Sequence, residues 1–178
     1  LAVLLRHSSK AVRQAASSAL ERVADATVFD SILDSLDDPI PTIRFSLLGA
    51  LSHIATDNKA LTELQKQKFF LKLDTLLTRD ADPGVRSRAA TIMGENSGTV
   101  ALSSLWRRVS AQEDLRVQEK AWTAMVDIII RQKSLETLLQ WDRVLTQATA
   151  TDRRIALLAE ATLQWKKIDE LKEVVTIV

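Results

Sequence analysis

Few residues in this 178-residue chain carry the usual chemistry of catalysis. There are two histidines, His7 and His53, far apart in sequence, and no cysteine. A zinc site takes three or four ligands, so this supply is poor, and a thiolate site or a disulfide framework is excluded. Serine and aspartate abound, yet nothing in their spacing positions a Ser/His/Asp system. No glycine-rich phosphate loop is present. The one glycine cluster, Gly94-Glu95-Asn96-Ser97-Gly98, reads as a helix C-cap followed by an N-cap. Arg79, Arg86, Arg88, Arg107 and Arg108 crowd the middle of the chain and could contact phosphates. Neutralising phosphates takes a basic excess, however, and the net charge is only +1. Residues 1–100 carry 12 basic and 12 acidic side chains, and residues 101–178 carry 12 and 11. No catalytic residue, metal or cofactor is expected.

The elements that must position these side chains are helices. The chain has 4 Gly, 3 Pro, no Tyr and eight Phe plus Trp. A sandwich or barrel needs a turn every ~8–12 residues and strands rich in aromatic and β-branched residues. At 46% hydrophobic, the composition also excludes disorder. No apolar stretch reaches ~18 residues, so no membrane span is expected. The missing cysteine is compatible with any compartment.

An internal repeat organises the sequence. Ala11-Val12-Arg13-Gln14-Ala15-Ala16, Thr42-Ile43-Arg44-Phe45-Ser46-Leu47 and Gly84-Val85-Arg86-Ser87-Arg88-Ala89 align, and Arg116-Val117-Gln118-Glu119-Lys120-Ala121 joins them with Gln in place of Arg. The anchors Val12, Ile43, Val85 and Val117 lie 31, 42 and 32 apart, with a weaker anchor at Ile155. Offsets 0, 4, 8 and 11 from each anchor are largely apolar and share one face of a 3.6-residue helix. A second stripe precedes each anchor: Val28, Phe29, Ile32, Leu33 and Leu36, for instance, or Leu61, Phe69, Leu73, Leu76 and Leu77. Caps are expected at Thr27, Ser97 and Ser134. Pro39, Pro41 and Pro83 fall between the two helices of a pair, where a missing N–H costs nothing. The 42-residue interval places extra length between Thr56 and Lys72, which predicts a long helix there. Each unit is thus helix A, a turn, and helix B, and stacked units share one elongated core.

The segments Asp38-Pro39-Ile40-Pro41-Thr42-Ile43-Arg44 and Asp80-Ala81-Asp82-Pro83-Gly84-Val85-Arg86 resemble the signature of HEAT repeats, of the short type found in bacterial proteins and phycobilisome lyases. The resemblance implies an all-α right-handed superhelix of about four to five helix pairs. It divides one domain into units of about 1–24, 27–56, 58–95, 97–132 and 134–167, with a partial unit 168–178. It also implies a ladder between neighbouring units in which Asp38, Arg44, Asp80 and Arg86 take part. At the corresponding Asp positions the first unit has His7 and the fourth Gln112. The family's iron hydroxylases carry His-Glu pairs, and this sequence has none. The apolar ends, Leu1-Ala2-Val3-Leu4-Leu5 and Val174-Val175-Thr176-Ile177-Val178, read as cut repeats, so a segment of a longer protein is expected.

A solenoid without catalytic residues is expected to bind another protein on its concave helix-B face. The candidate residues are Arg13, Arg88, Glu95, Trp122, Asp127 and Trp165. Trp106 lies on a helix-A core stripe, and Trp141 sits beside one. Two rival expectations are nucleic-acid binding through the central arginines and a purely structural segment without a ligand of its own.

Overall fold

A computed structural model describes residues 1–56, 61–110 and 113–132. Those residues form helices joined by short turns, with no strand among them. A 3-10 segment, Ala2–Arg6, leads into α1, Lys10–Val23. The second pair is α2, Phe29–Asp34, flanked by the 3-10 turns Ala26–Val28 and Ser35–Asp37, and α3, Pro41–Ala55. The third is α4, Glu63–Arg79, and α5, Pro83–Asn96. The fourth is the 3-10 turn Thr99–Ala101 with α6, Leu102–Ser110, and α7, Leu115–Gln132. By its contacts the chain divides into two compact units, Leu1–Met125 and Val126–Val178, with the division inside α7. Of the second unit only the end of α7 is described; there Ile128 and Ile129 are buried and Asp127 is exposed.

Within the first unit, α3 packs against both α1 and α5, and α2 packs against α3 and α4. This is the layering of a repeat solenoid: B-helices beside B-helices, A-helices beside A-helices. The core follows the repeat. Ile43, Val85 and Val117 are each at most 1% exposed, whereas the first anchor, Val12, is only half-buried. On the A side, Phe29 and Phe69 meet edge to face with centroids 5.7 Å apart, joining the second and third units.

The turns explain where the helices start. Pro41 and Pro83 sit in the first turns of α3 and α5. Asp82 caps α5 by accepting from the Val85 N–H at 3.0 Å. The 17-residue α4 follows from a reciprocal capping box, in which Thr62 accepts from the Gln65 N–H and Gln65 accepts from the Thr62 N–H. It begins after Leu61, later than the expected lengthened segment, of which 57–60 lie outside the described residues.

Several local expectations need correction. Thr27 is not a cap; Asp25 caps the 3-10 turn Ala26–Val28 that leads into α2, its carboxylate accepting from both the N–H and the hydroxyl of Thr27. Those bonds hold the Asp25 carboxyl below the usual aspartate range. Ser97 ends α5 rather than starting the next helix, while Ser134 lies outside the described residues. Gly94 is not a C-cap. It lies inside α5, where a Cβ would stand 2.7 Å from the Ala124 Cβ and 2.8 Å from the Ala124 Cα. Glycine is there because α5 and α7 approach too closely for a side chain.

Substituting Gly94→Ala should therefore destabilise the protein. Alanine gains about 1 kcal/mol of helix propensity. Overpacking against backbone costs about 1–3 kcal/mol, so the clash dominates. Urea unfolding should show a lower midpoint for Gly94→Ala and a lower one still for Gly94→Val, because the clash is with backbone. An unchanged midpoint would mean that the two helices separate at no cost.

Candidate functional site

The B-helix face of the first unit carries two connected systems: a ladder of ion pairs along the turns and a groove beside it. The ladder rises from the residue after each anchor. Arg13 Nε donates to Asp38 Oδ2 at 2.6 Å. Arg44 donates to Asp80 through Nε at 2.8 Å and Nη2 at 2.6 Å. Arg86 Nη2 donates to Glu113 Oε1 at 2.7 Å. Each arginine also donates backwards to carbonyls of its own turn: Arg13 to His7, Arg44 to Asp38, Arg86 to Asp80. One guanidinium thus closes its own turn and grips the acid of the next unit. The planar fork of arginine suits this double duty; a lysine ammonium would not reproduce it.

The acids are oriented in turn. Asp38 accepts from the Ile40 N–H and Asp80 from the Asp82 N–H, both at 2.9 Å. His7 copies that turn in the first unit, with Nδ1 accepting from the Ser9 N–H at 3.0 Å. In the fourth unit Glu113 receives Arg86, and Arg108 also lies 3.6 Å from its carboxylate; Gln112 lies outside the described residues. Asp114 starts α7, accepting from the Arg116 N–H at 2.9 Å, and chiefly that bond lowers its carboxyl affinity for protons.

The groove, about 450 Å³, lies across α3, α5 and α7. Phe45, Gly49, Ser52 and His53 contribute from α3, Arg88, Thr91 and Glu95 from α5, and Arg116 and Lys120 from α7. Its floor is braced by Arg88, whose Nη2 donates to Glu21 Oε1 at 2.6 Å, joining α5 to α1 across α3. The guanidinium carbon also stands 4.2 Å from the centre of the Phe45 ring, a cation–π contact. The brace crosses at Gly49, where a Cβ would collide with both Arg88 and Glu21. Glu95 stands at the groove edge and accepts from the Ser52 hydroxyl at 3.1 Å.

The six residues expected to meet a partner fall in different places. Arg88 and Glu95 line the groove. Arg13 does not: its guanidinium is held by Asp38 and by turn carbonyls, so it belongs to the ladder. Trp122 is a correction as well. It is 4% exposed and packs in the core, with its Nε1–H without an acceptor among the described residues. Asp127 is exposed at the end of α7; partial desolvation raises its carboxyl pKa, and Arg131 opposes that rise. Trp165 and Trp141 lie outside the described residues, and Trp106 is half-buried. Of the central arginines, Arg86, Arg88 and Arg108 are engaged by carboxylates, and Arg107 donates to the Ser103 carbonyl. Glu21, Phe45 and Gly49 were not singled out from sequence. Their signal was the run Ser18, Gly49, Thr91 and Thr123, all small, six residues after each anchor.

A stack of helix pairs, riveted turn to turn by arginine–carboxylate pairs and grooved along its B-helices, defines an α-helical repeat solenoid. Residues 1–67 match the family model of HEAT repeats. No curated protein matches the chain.

Two substitutions test the energetics. Asp80 and Arg44 side chains are 3% and 11% exposed, so Asp80→Ala leaves a nearly buried cation unpaired and should cost about 3 kcal/mol. Asp34→Ala, which removes a 3.8 Å pair with Arg6 between side chains 68% and 76% exposed, should cost under ~0.5 kcal/mol. Equal losses in chemical denaturation would contradict the ladder's primacy. Trp122→Phe removes a donor that has no acceptor among the described residues, which offsets part of the cost of the smaller ring. It should lose about 1 kcal/mol or less, whereas Trp122→Ala should lose about 3–5 kcal/mol.

Proposed function

We propose that the chain is a non-catalytic scaffold that binds another protein in the groove across α3, α5 and α7. HEAT repeats commonly mediate protein–protein interaction, and the family is generally non-catalytic. The observation that carries the proposal is the brace of Arg88, Glu21 and Phe45 over Gly49. It holds three B-helices at once and gives the groove a braced floor. A rigid concavity loses little conformational entropy when a partner docks, which is how preorganised surfaces gain affinity. Among the described residues no helix is long and apolar enough to cross a membrane. No cluster of three or more His, Cys, Asp or Glu there could hold a metal ion.

A photoreactive side chain introduced at Thr91, inside the groove, should form a discrete protein adduct in an extract of the source cells. The same group at Leu71, which is 57% exposed on α4, should not. Excess unlabelled chain should compete the Thr91 adduct away. Equal labelling at both positions, or none at Thr91, would remove the groove from consideration.

A further inference from the structure

We propose that the groove takes an extended acidic peptide segment, with two carboxylates spaced one residue apart on the α7 wall. This rests on the reading of the groove as a protein-binding surface. The charges lining it are Arg88, Arg116 and Lys120 against Glu95, three cations to one carboxylate. They are not equivalent. Arg88 is recessed in the floor and satisfied by Glu21. Glu95 is held by Ser52. Arg116 is 71% exposed and, among the described residues, its guanidinium has a single 3.4 Å contact to Asp114; Lys120 is exposed. The charge left for a visitor is therefore cationic and lies on α7.

Arg116 and Lys120 stand one helical turn apart, at i and i+4, on the same face of α7. Four helical residues rise about 6 Å. Two residues of extended chain span about 6.6 Å. Carboxylates at alternate positions of a strand-like peptide thus match both cations, on the same side of the strand. On the α5 side, Ser87 and Thr91 repeat at the same i, i+4 interval along the floor. The Thr91 hydroxyl donates to the Ser87 carbonyl, which leaves its lone pairs to accept a peptide N–H. A phosphate backbone carries a charge at every residue and would pass Glu95 as well, whereas a peptide can place its carboxylates at the α7 cations alone.

The test is a random dodecapeptide display selection on the immobilised chain at low salt. The best sequence is then synthesised with a fluorophore, and its anisotropy is followed alongside that of a 12-nucleotide oligothymidylate. Acid-x-acid spacing should be enriched. The affinity should fall at least about ten-fold in Arg116→Glu/Lys120→Glu, weaken with salt, and vanish in Thr91→Trp. Circular dichroism should match the parent in each variant. Peptides without acidic enrichment, or indifferent to the charge reversal, overturn the acidic assignment; if Thr91→Trp still abolishes them, the groove stands as a binding surface. No enrichment, or peptides indifferent to Thr91→Trp, overturns both readings. Oligothymidylate bound more tightly than the peptide and released by the charge reversal makes the ligand a nucleic acid.

Discussion

The structure depends on one guanidinium used twice. In each of the first three units the arginine after the anchor closes its own turn through backbone carbonyls and reaches the carboxylate of the next turn. Turn geometry and unit stacking are therefore not independent. A turn that opens loses its arginine, and the neighbour loses its partner. The pairs are largely shielded from water, so their worth is less in net attraction than in the penalty for breaking one side. This arrangement favours register over raw stability. It fixes which turn sits beside which, and so places Arg88 where Glu21 can meet it.

The acidic run near the start of the second unit follows the same economy of position. Asp25 caps a turn, Asp30 accepts from Gln65, Asp34 faces Arg6, Asp37 binds Lys72 and Asp38 takes Arg13. Five carboxylates without a base among them look, in sequence, like a solvated acidic patch. In the fold each has a partner from another segment or a local turn. Local charge density was thus a poor guide to pairing, because the repeat brings bases to Asp34, Asp37 and Asp38 from 25 to 35 residues away.

What was legible followed from periodicity. Helical stripes, the prolines at helix starts and the long α4 are consequences of local pattern, and local pattern is what a sequence displays. What was missed depended on distances between helices. Arg13 occupies the same offset as Arg44 and Arg86, so its ladder role was present in the alignment but was outweighed by its position on the B-helix. Trp122 shares an offset with Ser17, Leu48 and Ala90, all fully buried, a signal outweighed by its reading as a residue of the concave face. Gly94 looked like a terminator because glycine ends helices more often than it thins them. Nothing local marks a pair such as Arg88 and Glu21, 67 residues apart.

That pair changes how the array should lose its structure. Repeat proteins usually behave as chains of nearest-neighbour couplings, so units at an end can peel away while the interior holds. The link from α5 to α1 skips a unit and passes over the middle one at Gly49. Fraying the first unit then breaks a bond belonging to the third, and Arg88 in the groove floor loses its carboxylate. The first three units are thereby coupled beyond nearest neighbours, and the groove responds to the state of a helix that does not line it.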